Sequence, residues 1–292
     1  MIRCLSCSST FPTSGNSEIC PDCGWEPHTI EGITAYAPEF AGGGGGFQPE
    51  YFEDLAALEA SNFWFRSRNK LIQVMLRRFC PNFGSFLEVG CGTGYVLSGI
   101  RRLNSHAAIA GSDIFMAGLK FAVERLPSAR LMQMDARSVP FVEEFDVVGA
   151  FDVIEHINED ELVLEQLHGA LKENGTLIVT VPQHRWLWST LDDYSHHFRR
   201  YTEAELRRKV EAAGFEIIRN TSFVTVLLPL MAISRLARRN KPVETIDVRS
   251  ELQLSPVFNS ILGLLLACEI ALIKVGVSLP VGGSRLLVAR KR

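Results

Sequence analysis

Four cysteines open the chain as two hooks, Cys4-x-x-Cys7 and Cys20-x-x-Cys23, with twelve residues between them. Thiolates at this spacing can converge on one tetrahedral Zn2+, and Pro21 and Gly24 suit the tight turn that aims the second hook. A segment this short closes no hydrophobic core, so ligation would supply the folding energy it lacks. Redox or buried thiols, or iron in the same cage, are the other readings of the quartet. Cys80, Cys91 and Cys268 have no partner at metal-ligand spacing and are expected to be ordinary core or near-site thiols.

A second chemistry-bearing stretch reads FLEVGCGTGYVLSGI from Phe86. It predicts a short apolar strand, a turn through Gly90, Gly92 and Gly94, and a helix, which is the cradle of a nucleotide at a helix amino terminus. The dinucleotide pattern GxGxxG would need glycine at Tyr95 or Leu97, so NAD is disfavoured. A second strand, Ala107 to Ser112, leads to Asp113, nineteen residues past Gly94, whose carboxylate can accept both hydroxyls of a ribose. A third, near Arg130 to Met134, leads to Asp135 and Ala136.

On these residues the chain resembles the class I S-adenosylmethionine-dependent methyltransferases, whose first motif ExGxGxG is matched by Glu88, Gly90, Gly92 and Gly94. The resemblance runs from about Glu59 to Phe223. It implies S-adenosyl-L-methionine as cofactor, with Asp135 on the adenine amino group and Ala136 offering its backbone amide. Phe151 and the residues after it would line the methionine end. The lead-in EASNFWFRSRN would fold over the cofactor, Trp64 covering it and Arg68 holding its carboxylate, although a packed amphipathic helix explains both residues as well.

Past the fourth strand, Phe145 to Phe151, stand Asp152, Glu155 and His156. This DxxEH resembles the ExxEH stretch of ubiquinone-biosynthesis O-methyltransferases, which has been linked to a divalent metal. Three roles stay open for the trio: a metal site, His156 as general base, or loop orientation by hydrogen bonds. Downstream, His197, Arg199, Arg200 and Tyr201 match an HxRRYT pattern of the same broad family and could face an acidic or hydroxylated acceptor. The competing reading is structural, with Thr202 capping the next helix and Glu205 completing a capping box. His156, Glu155 and His197 are the candidate catalytic groups. The absence of an NPPY-like motif withdraws support from base N-methylation and leaves oxygen as the expected acceptor atom.

Positioning these groups requires strands and helices in alternation, hence a doubly wound, mostly parallel α/β sheet. Seven strands are expected. The fifth is Leu177 to Val181, after the turn LKENGT; the sixth is Phe215 to Phe223; and Ser284 to Lys291 is the seventh, which the resemblance implies returns antiparallel. The predicted organisation is a zinc ribbon at 1–40, a glycine-rich flexible joint at 41–50, a methyltransferase domain at 51–223 and 284–292, and an apolar helical insertion at 224–283. The glycine run lacks the preceding strand and following Lys-Ser/Thr of a phosphate loop.

The insertion holds LLPLMAI, the basic residues Arg235, Arg238, Arg239 and Lys241, and an apolar run interrupted by Glu269 and Lys274. That interruption argues against a membrane span. It leaves an interfacial helix pair, admitting a lipid-linked acceptor, against a helical cap buried on the domain or in a dimer. No basic and then apolar leader opens the sequence, so a cytoplasmic, reducing location is expected, with peripheral membrane contact as one option.

At 292 residues, 47% hydrophobic and 22% charged, the chain can bury a substantial core. Its net charge of −3 conceals an asymmetry: residues 1–60 hold one basic residue, Arg3, and nine acidic ones. An acidic ribbon fits phosphate contacts poorly, which argues against nucleic acid and against the alternative of a ribosomal RNA methyltransferase. A non-catalytic cofactor-binding scaffold is the other alternative, and the intact cofactor residues oppose it.

Overall fold

The computed structural model describes residues 1–12, 18–42, 50–238 and 254–292. The glycine run from Gly43 onward and the basic residues Arg239 and Lys241 lie outside them. The elements are β1 (Ile2–Arg3), β2 (Thr10–Phe11), β3 (His28–Ile30), β4 (Ile33–Ala35), α1 (Glu50–Leu58), α2 (Phe63–Phe79), β5 (Ser85–Val89), α3 (Tyr95–Leu103), β6 (Ala108–Asp113), α4 (Met116–Arg125) and β7 (Arg130–Gln133). Then follow β8 (Phe145–Phe151), α5 (Asp160–Ala170), β9 (Leu171–Pro182), α6 (Thr190–Tyr194), α7 (Glu203–Ala212), β10 (Phe215–Phe223), α8 (Leu228–Arg238), α9 (Pro256–Lys274) and β11 (Ser284–Lys291).

The main sheet runs β10-β11-β9-β8-β5-β6-β7-β4-β3. Strands β4, β7, β6, β5, β8 and β9 pair in parallel, and β11 enters antiparallel between β9 and β10. Seven strands therefore stand as the sequence implies. Their apolar runs are continuous because both faces are covered by helices: Leu177, Ile178, Val179 and Val181 of β9 are all inaccessible. The stretch LKENGT joins β9 through an irregularity in the pairing with β8, where Phe145 faces Leu171 and Val147 faces Thr176, and Asn174 takes φ +60°.

The amino-terminal residues are not a free-standing knob. β4 pairs with β7 and brings β3 with it, so the sheet has nine strands. Ile2, Cys4, Phe11 and Cys20 are buried in the same core cluster as Phe141, Met132 and Leu164, and Arg3 N donates to Pro140 O at 2.6 Å. The hydrophobic effect explains the merger, since a ribbon with two apolar side chains on one face must cover them against something larger. Cys80 and Cys91 are buried as expected, whereas Cys268 is exposed on the outer side of α9.

Strand order reverses between β5 and β8: the chain moves outward from β5 through β6 to β7 and returns to the other side of β5 with β8. Ligands of open α/β sheets lie at the carboxyl ends of strands at such a switch point. The Gly90 turn and the Asp152–His156 segment leave the sheet there.

Candidate active site

Between β5 and α3 the chain doubles back with φ of +72° at Gly90 and +73° at Gly94, conformations that cost an L side chain about 1 to 2 kcal/mol. A Cβ on Gly90 would stand 2.4 Å from Val153 Cγ2, so the turn after β5 lies directly on the segment after β8. The two halves of the switch point are thus in contact. Cys91 N donates to Ser112 O at 2.8 Å, fastening the turn to β6.

Asp113 ends β6. Its Oδ2 accepts from Gly92 N at 2.8 Å and its Oδ1 from Phe115 N at 3.0 Å. Burial pushes its carboxyl up to about 6 despite those donors. Glu88, 2% exposed, has an Oε2 without a hydrogen-bond partner among the described residues, and burial drives its carboxyl well above the usual range. These groups fit an adenosyl ligand: three positive-φ glycines leave the backbone bare, and the buried Glu88 keeps an oxygen unpartnered among the described residues. Beside them a cleft of about 300 Å3 is lined by Phe115, Met116 and Lys120 and by Ile30, Glu31 and Gly42.

Asp135 is at the expected strand end, but both its oxygens are taken by Arg137, through Nε at 3.1 and 3.0 Å and Nη2 at 2.7 Å. Ala136 beside it is buried. Phe151 is 4% exposed and packs with Phe86 and Ile178 in the core, so its ring belongs to the interior. In α2, begun by the Asn62 side chain accepting from Trp64 N at 2.8 Å, the Arg68 guanidinium lies 4.7 Å from the Trp64 ring centre and pairs with Asp152. Arg68 therefore has a carboxylate from the protein itself, while its buried Nε stays without a partner among the described residues.

Two contributors escape the sequence reading. Glu59, 4% exposed, accepts from Thr93 Oγ1 at 2.9 and 2.7 Å and pairs with Arg125 at 2.6 Å, latching the lead-in segment onto the glycine turn. Asp192 is the other. Ser189 and Asp192 form the capping box of α6, a spacing the sequence displays as S-x-x-D. The box expected at Thr202 is only half made, with Thr202 accepting from Glu205 N at 3.2 Å.

Asp192 Oδ1 meets His197 Nδ1 at 2.9 Å, Arg200 Nε reaches the same oxygen at 2.7 Å, and Arg235 of α8 reaches Oδ2 at 3.0 Å. Burial alone would raise its carboxyl, but the His197 hydrogen bond and the charges of Arg200 and Arg235 win, holding it well below the ordinary range. The His197 ring lies edge-on to His156, with centroids 4.6 Å apart. Glu155 is fully buried with neither oxygen partnered among the described residues; burial and then the Asp152 charge push its carboxyl far up. Burial, with the neighbouring His197, lowers His156 to about 3.

Donor atoms of Glu155, His156 and His197 lie within 4.8 Å of one another, so this trio, and not the expected Asp152, Glu155 and His156, is the set that could share a proton or an ion. Asp152 is drawn away to Arg68. Of the HxRRYT residues only His197 faces the cluster. Arg199 pairs with Asp160 at 2.6 Å, Arg200 is spent on Asp192, and the buried Tyr201 hydroxyl donates to Asp160 at 2.6 Å.

At the amino end the sulfurs of Cys4, Cys7, Cys20 and Cys23 lie within 4.8 Å of one another, Cys4 and Cys23 at 3.5 Å and Cys7 and Cys20 at 3.6 Å. Four sulfurs at about 2.3 Å from one tetrahedral ion would stand roughly 3.8 Å apart, so the quartet fits Zn2+. Ser6 N and Cys7 N both donate to Cys4 Sγ at 3.4 Å, aiming it into the quartet.

A Rossmann-like doubly wound sheet with a bare glycine turn, buried acids on β5 and β6 and a Glu155, His156 and His197 cluster across the switch point is the architecture of a methyltransferase-type fold. A methyltransferase-domain family model matches residues 61–220, more than half of the sequence, and the chain belongs to that family. A probable S-adenosylmethionine-dependent methyltransferase from Mycolicibacterium smegmatis is 28% identical over 170 residues, 56% of this chain and 63% of the relative. The mitochondrial ubiquinone biosynthesis O-methyltransferase of Rattus norvegicus is 28% identical over 103 residues, 32% of this chain and 29% of that protein. The chain thus spans less than two thirds of the length of these curated relatives. Among solved structures the [4+2]-cyclase SpnF superposes with a TM-score of 0.52 at 20% identity, covering 78% of this chain and 83% of that one, a likeness of fold.

Proposed function

We propose that this protein transfers a methyl group from S-adenosylmethionine to a hydroxyl of a small-molecule, lipid-linked or saccharide acceptor, with His197 as the general base. When bound, the cofactor supplies a sulfonium methyl whose displacement releases a neutral thioether, so the protein has to align and desolvate the nucleophile and take its proton. Glu88, Asp113 and the turn at Gly90, Gly92 and Gly94 would hold the adenosyl part, with Asp135, Ala136 and Trp64 at its periphery. The ribbon cysteines would hold a structural Zn2+.

The observation that carries the reading is the Asp192–His197 pair beside the buried Glu155. A carboxylate on Nδ1 fixes the tautomer that leaves Nε2 free as acceptor, and it holds the ring in place to take a proton. His156, kept neutral by burial, is a weak base and serves better as a hydrogen-bonding wall. Support for oxygen as the acceptor atom comes from the name of the Rattus norvegicus relative.

Labelled S-adenosylmethionine incubated with the protein and fractionated lipid, saccharide and RNA extracts tests the reading. Label should enter the lipid or saccharide fraction. Label in RNA alone, or none in any fraction with no binding of S-adenosylhomocysteine, overturns it.

A further inference from the structure

Among the described residues one helix, α9, is long and apolar enough to cross a membrane, yet it is packed on the domain. Leu266, Ile270 and Ile273 are buried, and Asn259 is tied to the start of α2, its Oδ1 accepting from Phe63 N at 2.8 Å and its Nδ2 donating to Ser61 O at 2.9 Å. Its single acid, Glu269, is turned inward and accepts from Thr225 N at 2.8 Å and Val226 N at 3.0 Å. The helix is therefore held alongside the protein, not projected from it.

Its other side is bare. Val257, Phe258 and Leu264 are 67%, 64% and 67% exposed, and with Ile261, Cys268 and Leu272 the stripe runs the length of a 19-residue helix, about 28 Å at 1.5 Å per residue. Val226, whose N donates to Glu269 of α9, and Leu230 and Ile233 of α8 expose further apolar surface. A soluble monomer seldom leaves so continuous an apolar patch uncovered.

Charge identifies what covers it. At the carboxyl end of the stripe stand Lys274 and three arginines: Arg78, whose Nη1 donates to Lys274 O at 2.9 Å; its neighbour Arg77; and Arg219, which donates to Gly276 O at 2.9 Å and to Val277 O. Among the described residues none of these four cations has a carboxylate partner. Helix α2, against which α9 lies, carries Arg66, Arg68, Lys70, Arg77 and Arg78 and no acid, and α8 carries no acid either. A second copy packed on this face would have to supply acids that the two helices lack. An anionic lipid surface supplies both an acyl layer for the stripe and negative charge for its rim.

We propose that the outer face of α9, with the exposed apolar residues at α8, is a docking surface for an anionic lipid bilayer, α9 lying in the plane of the interface. The amino end of α9 is bonded to the start of α2, the helix that bears Trp64 and Arg68, so docking sets that helix end near the bilayer. Arg235 ties α8 to Asp192 and so to the His197 loop, which fixes the docking face relative to the acceptor side. The surface stands whichever acceptor is methylated, because its readout is partition and not turnover.

The full chain should be sedimented with vesicles of phosphatidylcholine alone and with one quarter phosphatidylglycerol. Binding to the anionic vesicles, lowered about fivefold by Arg77→Ala and in like measure by raising salt, is expected. Ile261→Glu/Leu264→Glu should abolish it while leaving the melting temperature and S-adenosylhomocysteine affinity unchanged, since both side chains already face solvent. Equal partition into neutral vesicles would overturn the charge argument. A protein that stays in the supernatant with both compositions, and whose solution dimer dissociates on the same double substitution, would assign the face to a second copy instead.

Discussion

Cofactor affinity should fall as pH drops below 6, because Asp113 must be ionised to accept ribose hydroxyls. In the free protein burial pushes this carboxyl up to about 6, even with Gly92 N and Phe115 N donating to it. A ligand that selects the ionised form binds in proportion to the ionised fraction, which is nearly complete at pH 7.5 and about one in eleven at pH 5. S-adenosylhomocysteine should thus bind about tenfold more weakly at pH 5 than at pH 7.5, or roughly 1.4 kcal/mol. The sign follows from linkage: the ligand expels a proton, so acid opposes it. Burial pushes the neighbouring Glu88 carboxyl in the same upward direction. Isothermal titration across this range, repeated in two buffers of different ionisation enthalpy, measures both the affinity and the proton released. Asp113→Asn should flatten the profile and weaken binding by about two orders of magnitude at pH 7.5, having lost its charge-assisted acceptors. Unchanged wild-type affinity between pH 7.5 and 5, with no proton release, would refute the assignment of Asp113 to the ligand.

Three further outcomes are expected. Gly90→Ala places a methyl 2.4 Å from Val153 Cγ2 at φ +72°, so binding of S-adenosylhomocysteine should be lost and the melting temperature should fall; a variant that binds normally would show that the turn has room to move. The purified protein should hold about one equivalent of zinc, lost on Cys20→Ser/Cys23→Ser. Because Ile2 and Phe11 share the main core, that loss should lower the melting temperature of the whole protein by on the order of 10 °C. An unmoved main transition would separate the ribbon from the domain. Against the acceptor that takes the label, His197→Ala should lower kcat by about 10² to 10⁴ with cofactor affinity unchanged, and full activity would remove it from proton transfer.

Legibility followed the range of the interactions involved. The Gly90 turn, the Asp113 strand end and the existence of β11 could be read because local backbone demands write them into adjacent residues: bare glycines, an acid at a strand terminus, apolar runs of strand length. Arg199, Arg200 and Tyr201 illustrate the limit. Their pattern was visible, but it could not show that Asp160 and Asp192 consume them, since Arg199 and Tyr201 lie 39 and 41 residues from Asp160 in the chain. Arg68 was likewise a free cation on paper and is a partner of Asp152, 84 residues away, in space.

What the amino-acid order determined by itself was the alternation of strand and helix, the cysteine quartet and the acids at the ends of successive strands, because each depends on spacing along a single backbone. Tertiary structure alone decided three things: that Glu155, His156 and His197 form one cluster, that Asp192 orients it, and that the ribbon shares the sheet and core of the domain. The physical reason is that burial and charge pairing are properties of neighbours in space. A carboxylate is a surface group, a tether or an unpartnered acceptor according to what the fold brings against it.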